Sequence, residues 1–277
     1  MPYEKQLSSA TPGLIIICLD QSGSMADSYT TGYSKADYAA LAVNRVIHEI
    51  INSCVAGDVV KPRVEIGVIV YNGYGAYILK YGNDLELLGN VSKLAEHMDT
   101  MSLLHVVPDG IGGMIEQETI MRAFVRPFAG GGTPMAQAFE LARQKIDFFT
   151  SICPDGFPPV VINITDGAPD DAQKAFDAAR RLVTTGSHDG RTLLLNAHVD
   201  SASEGQIILP RNITAFANND FARYLFDISS PLPAKLANSA IAMGFKDITP
   251  EITRGFVFNA DADTLVRFLN FGSDLAR

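Results

Sequence analysis

Cysteine is scarce in this chain: three residues in 277, Cys18, Cys54 and Cys153. Their odd number and lack of metal-like or redox-like spacing argue against a disulfide framework and a thiolate metal site, and point to reduced thiols. Cys18, inside an apolar run, reads as a small buried hydrophobe. Basic residues are outnumbered, 22 against 31 acidic ones, which leaves a net charge of −9. A chain of that balance has no excess of Lys and Arg to neutralise a phosphate backbone, so no nucleic-acid partner is expected. The five histidines form no HxxxH or HxH pair, which disfavours zinc. No apolar stretch reaches the ~18 residues of a bilayer-crossing helix, and no membrane partner is expected. Met1 to Thr11 lacks the basic and apolar regions of a signal peptide, so the expected location is cytoplasmic. Several catalytic signatures are also missing. No GxGxxG follows the first strand, Gly130-Gly131-Gly132 is not followed by the GKS/T of a P-loop, and no GxSxG elbow occurs.

What the chain does have is globular composition, with 47% hydrophobic and 19% charged residues. Leu14–Leu19 is apolar at every position, as in a central strand covered on both faces. Lys35 to Ser53 changes to helical spacing, with Ala39, Ala42, Val43, Val46, Ile47 and Ile50 on one face. Arg63–Tyr71 and Gly75–Lys80 read as two strands joined at Asn72-Gly73. Between 82 and 128 the pattern predicts helical stretches near Val91–Met98 and Gly113–Phe124. A helix from Pro134 to about Phe149 follows, then a strand at Val160–Thr165 and a helix opened by Asp170-Asp171 and running to about Val183. Thr192–Val199 is a strand, Asn219–Phe226 and Pro233–Met243 are helical, and the chain closes with a strand at Gly255–Asn259 and a helix from Asp261 to about Asn270.

Apolar strands alternating with helices predict an α/β fold. The expected form is a Rossmann-like three-layer sandwich with a mostly parallel six-stranded sheet, one antiparallel edge strand and helices on both faces. With no repeat and no linker, residues 1–277 read as one domain, its core about 12–271, with an extended region at 201–254.

In open sheets of this kind, ligand sites lie beyond the C-terminal ends of the strands. There the first strand delivers Asp20-Gln21-Ser22-Gly23-Ser24, and the fourth delivers Thr165-Asp166-Gly167. Thr133 stands at the end of the Gly130–Gly132 loop, before a helix. Two carboxylates and three hydroxyls are hard oxygen donors, a set that suits Mg²⁺, with Mn²⁺ an acceptable substitute. Gly23 permits a turn tight enough for Ser22 and Ser24 to face one point. Only two charges are present, so the inventory leaves room for an incoming carboxylate. Among the other polar residues, Asp170 and Asp171 read as helix-start residues and His198 as a side chain near the site end of its strand. The Asn163-Ile-Thr and Asn212-Ile-Thr sequons carry little weight without a secretory signal.

The order D-x-S-x-S, distant Thr, distant Asp resembles the von Willebrand factor A (VWA) domain and its metal-ion-dependent adhesion site. All five members are present as Asp20, Ser22, Ser24, Thr133 and Asp166. The resemblance implies that Ser22 and Ser24 ligate the metal directly, that Asp20 and Asp166 act mainly through water, and that Thr133 switches between the two modes. It also implies that a protein partner supplies an Asp or Glu. GGGTPMAQAFELA, VVINITDGAPDDA and GFVFNADADTLVRFL look most like the bacterial cytoplasmic, tellurium-resistance-associated branch, whose members accompany a serine/threonine kinase and a phosphatase. The expected function is therefore a non-enzymatic, metal-dependent interaction module or scaffold in signalling or stress response. The alternative is a metal-dependent hydrolase or phosphatase on a similar sheet, although Ser22 stands where haloacid-dehalogenase-type enzymes carry the second acid of DxD.

Overall fold

The computed structural model describes residues 3–30, 33–82, 85–97, 99–108, 114–200, 205–216 and 218–273. Gly13–Asp20 (β1) is buried at all eight positions, the consequence of an isoleucine-rich run covered on both faces. Lys35–Ser53 (α1) opens at a reciprocal cap, in which the Asp37 amide donates to Ser34 Oγ and the Ser34 amide to Asp37 Oδ2. Val64–Asn72 (β2) turns back through Gly75–Ile78 (β3), and Leu88–Asn90 (β4) follows. After a single helical turn at Val91–Leu94 come Thr100–Pro108 (β5) and Met114–Arg122 (β6). Met135–Ile152 (α2), Val160–Thr165 (β7), Ala172–Leu182 (α3) and Leu193–Val199 (β8) form the next βα repeats. The remainder comprises Ile207–Ile208 (β9), Asp220–Ile228 (α4), Ala234–Ala242 (α5), Phe256–Ala260 (β10) and Ala262–Ser273 (α6).

The sheet runs β4-β2-β1-β7-β8-β10-β9, with β3 also on β2. The five strands β2, β1, β7, β8 and β10 are parallel, whereas β3, β4 and β9 join antiparallel. Because β2 lies on one side of β1 and β7 on the other, the winding reverses at β1. In open α/β sheets ligand sites lie at the strands' C-terminal ends beside such a reversal. The register sets Asp20 opposite Tyr71, Leu19 opposite Ile164 and Thr165 opposite His198.

Alternation along β1 divides the core. Ile15, Ile17 and Leu19 pack with α1, α5 and α6 on one face. Leu14, Ile16 and Cys18 pack with α2, α3 and α4 on the other. The layered α/β class and the six expected strands are thus all present, and the short strands β4 and β9 enlarge the sheet to eight.

The expected helix at Gly113–Phe124 is a correction. Residues 114–122 form β6, paired antiparallel with β5 from Thr100↔Arg122 to Pro108↔Met114. Met114, Ile115, Ile120 and Met121 fit a helical stripe only loosely, and a partner strand supplies hydrogen bonds that local periodicity cannot reveal. Near Val91–Met98 only Val91–Leu94 is α-helical; Gly113 and Met98 lie outside the described residues. In the extended region, α4 and α5 stand close to their expected bounds, while 201–204 and 217 lie outside the described residues.

Candidate metal site

Asp20 ends β1 and is almost wholly buried, 1% exposed. Its Oδ1 accepts the Ser22 amide at 2.8 Å and its Oδ2 the Thr165 hydroxyl at 2.6 Å, so both oxygens are fixed in direction. Burial pushes its pKa up to about 7; bonds from Thr165 and Ser22 oppose that rise, and the negative charge of Asp166 adds to it. Ser22 stands just before the one-turn 3-10 helix Gly23–Ala26 and makes no capping bond to it with its side chain. Its Oγ lies 3.2 Å from Ser24 Oγ, and Ser24 donates in turn to Asp166 Oδ1 at 2.7 Å. Ser22, Ser24 and Asp166 therefore form one run of oxygen atoms, with Asp20 attached through the Ser22 backbone.

Thr133 reaches this place on a clamped loop. Gly130 N donates to Gln21 O (2.8 Å), Gly23 N to Gly131 O (2.9 Å) and Gly73 N to Gly130 O (3.1 Å). Asp170 holds the threonine backbone from the other side: Thr133 N donates to Asp170 Oδ1 (2.8 Å), and Asp170 N donates to Thr133 O (3.0 Å). Thr133 is 8% exposed, and among the described residues its hydroxyl has no hydrogen bond to the other four side chains. The structure thus joins the side chains of Ser22, Ser24 and Asp166, ties Asp20 to them through the Ser22 amide, and brings the Thr133 loop against the turn that carries the serines. Of the two acids read as helix-start residues, Asp171 is the N-cap of α3 and accepts the Lys174 amide, whereas Asp170 braces Thr133.

One residue at this site escaped the sequence reading. Lys35, the first residue of α1, is 6% exposed, and its ammonium lies 3.0 Å from Asp166 Oδ2. Asp200 Oδ1 at 3.5 Å and Asp27 Oδ2 at 3.7 Å flank it. Burial disfavours its charge, but the bond to Asp166 and the charges of Asp166, Asp200 and Asp27 outweigh that and raise its pKa above the ordinary lysine value. A signal for it existed. Lysine at a helix N-terminus opposes the helix dipole, and such a residue invites a search for nearby carboxylates.

His198 has a packing role. It stacks on Phe258 with ring centroids 4.6 Å apart, meets Phe221 edge-on, and is held by burial below the usual imidazole pKa. Asn163 is fully buried and bonded to Tyr71 and Asn196, so its sequon is closed to modification.

The donor set suits a hard cation. Neighbouring oxygens of an octahedron with metal–oxygen distances near 2.1 Å are about 3 Å apart, and Ser22 Oγ and Ser24 Oγ stand 3.2 Å apart. Among the described residues, no group of three or more His, Cys, Asp or Glu is arranged to hold a metal. Any ion here would therefore depend on hydroxyl ligands. Among the same residues, no helix is long and apolar enough to cross a membrane.

No protein-family profile and no curated protein matches the sequence. Solved structures do. The manganese-loaded TRAP protein of Plasmodium vivax aligns over 68% of this chain and 57% of its own, at 15% identity and a TM-score of 0.36. Proximal thread matrix protein 1 of the mussel byssus, with a zinc-occupied MIDAS motif, aligns over 70% and 37%, at 15% identity and 0.38. The ArnB paralog VWA2 of Sulfolobus acidocaldarius aligns over 70% and 36%, at 16% identity and 0.36. The chain spans just over half of the first protein and little more than a third of the other two.

Proposed function

We propose that this chain is a non-enzymatic, divalent-metal-dependent interaction module of the VWA type. Ser22 and Ser24 would hold Mg²⁺ or Mn²⁺ directly, Asp20 and Asp166 through water, and Thr133 from the facing loop. A protein partner would supply an Asp or Glu to the position left open. The observation that carries this reading is the oxygen run Ser22–Ser24–Asp166 at the strand ends where the sheet reverses its winding, with the clamped Thr133 loop against it.

A divalent ion bound there would supply a Lewis-acidic point able to accept a foreign carboxylate. The chain's own residues do the arranging. Thr165 and the Ser22 amide orient Asp20, Ser24 orients one oxygen of Asp166, and Asp170 and the three backbone bonds fix the height of Thr133. Neither serine hydroxyl has an imidazole hydrogen-bonded to it among the described residues, which favours a ligand role over that of a nucleophile. The proposed setting is cytoplasmic, in a bacterial signalling or stress system, with a serine/threonine kinase or phosphatase among the partner classes.

The test is Mn²⁺ binding by electron paramagnetic resonance to the wild type and to Asp20→Ala, with circular dichroism to confirm that both fold. The substitution should weaken binding by at least about tenfold, and EDTA should release a partner captured from native cytoplasm. Equal Mn²⁺ affinity in the two proteins, or capture indifferent to EDTA, would overturn the proposal.

A further inference from the structure

We infer that Lys35 is a built-in counter-cation that competes with a divalent ion for Asp166 and so sets how weakly the metal is held. The inference rests on the metal reading above and adds a residue to it. The two oxygens of Asp166 are divided: Oδ1 takes the Ser24 hydroxyl at 2.7 Å and Oδ2 the Lys35 ammonium at 3.0 Å. The Asp166 side chain is fully shielded from solvent, so its charge is answered by Lys35 rather than by water.

The lysine is held where it is. Its amide donates to Asp27 O at 3.0 Å, and the Ser34–Asp37 cap fixes the helix start around it. Asp200 and Asp27 add attraction from two further sides. This position is costly on two counts, since a buried ammonium loses hydration and a cation at a helix N-terminus opposes the dipole. Hydrogen bonding to Asp166 offsets that cost.

The consequence for a metal follows from charge. Among the donors Asp20 and Asp166 carry the acid charge, and Lys35, shared with Asp200 and Asp27 but nearest to Asp166, offsets part of it at the carboxylate that the ion would share. Like charges a few ångströms apart in a partly dry site repel strongly. The ion is then held loosely by the chain alone, and an acidic group from a partner restores the missing negative charge. Lys35 thereby links tight metal retention to partner arrival.

The experiment measures Mn²⁺ affinity of the wild type, Lys35→Gln, Lys35→Arg and Asp20→Ala by electron paramagnetic resonance, with denaturant unfolding on each. Lys35→Gln should bind about tenfold tighter or better, while Lys35→Arg, which keeps the charge, should stay within about threefold of the wild type. Lys35→Gln binding no tighter than the wild type, where the wild type binds and Asp20→Ala does not, overturns the role of Lys35 and leaves the metal reading standing. Absence of Mn²⁺ binding in the wild type and in both Lys35 variants overturns the two together. Should Lys35→Gln fail to fold, the wild type decides by lysine ¹⁵Nζ NMR. Titrated Mg²⁺ should shift the Lys35 signal, and a signal unmoved at saturating Mg²⁺ overturns the inference.

Discussion

Replacing Gly131 by alanine tests whether the site depends on two loops in backbone contact. Gly131 has φ +78°, in the left-handed region, where an L-residue costs about 1–2 kcal/mol. A Cβ there would stand 2.3 Å from Gly73 Cα and 2.6 Å from Gly73 N, both backbone atoms with no side chain to swing aside. The loops would have to part by at least about an ångström, which ordinary van der Waals separation requires. Parting breaks the bonds Gly23 N to Gly131 O and Gly73 N to Gly130 O, each worth about 1 kcal/mol. The expected cost is about 3–4 kcal/mol in all, or a fall in Tm of about 5–7 °C for a chain of this size. Calorimetry measures the first effect. Because Thr133 rides on the displaced loop, Mn²⁺ binding should weaken by about tenfold or more, measured by electron paramagnetic resonance. A variant that melts within about 2 °C of the wild type and binds Mn²⁺ equally well would show that the loop contact does not matter, and the reasoning would fail.

Other substitutions probe the supports around the site. Asn44→Ala removes the acceptor of the Phe124 and Val125 amides and the donor to Val125 O, all buried, and should cost about 3–5 kcal/mol by urea unfolding; a loss below about 1 kcal/mol would contradict it. Asn163→Leu strands Asn196 Oδ1 and leaves the Tyr71 hydroxyl only its longer bond to Ile164 O at 3.3 Å, and a destabilisation of about 1–3 kcal/mol is expected from the same measurement. Glu65 has a pKa raised by burial, which the nearby Lys93 only partly offsets. The folded state therefore holds its proton more tightly than the unfolded one, and this residue lowers stability as pH climbs above the unfolded value of about 4.3. Glu65→Gln should accordingly gain stability at pH 7 and show no gain well below pH 4, read from unfolding curves across that range; a gain independent of pH would refute the cause.

The sequence made the sheet legible because its parallel strands are apolar on both faces. Leu14–Leu19, Val160–Thr165 and Thr192–Val199 need no tertiary information to be recognised. The bounds of α1 were equally clear from its apolar stripe, and the Ser34 cap found in the structure falls where that stripe begins. The antiparallel pairing of β5 with β6 was not, because its hydrogen bonds join residues well apart along the chain and its apolar spacing fits two periods poorly. The five oxygen-bearing side chains were visible as a group only because each follows a strand or precedes a helix. Lys35 was not visible with them, since its burial and its three carboxylate neighbours exist only once β1, β7, β8 and α1 have met.

That last point explains why α1 matters more to the site than its position on one face suggests. Its first residue, Lys35, reaches Asp166 beyond β7, while Asn44 further along grips Phe124 and Val125 on the approach to the Gly130–Thr133 loop. One helix therefore touches both the carboxylate and the segment that delivers the threonine, without contributing any of the five oxygen donors. A helix that bonds to both ties their positions together: if α1 shifts, the ion pair at Asp166 and the segment leading to the loop move with it. On its other side α1 lies against α6, and Val43, Val46, Ile47, Leu265 and Phe268 belong to one buried cluster on that face of the sheet.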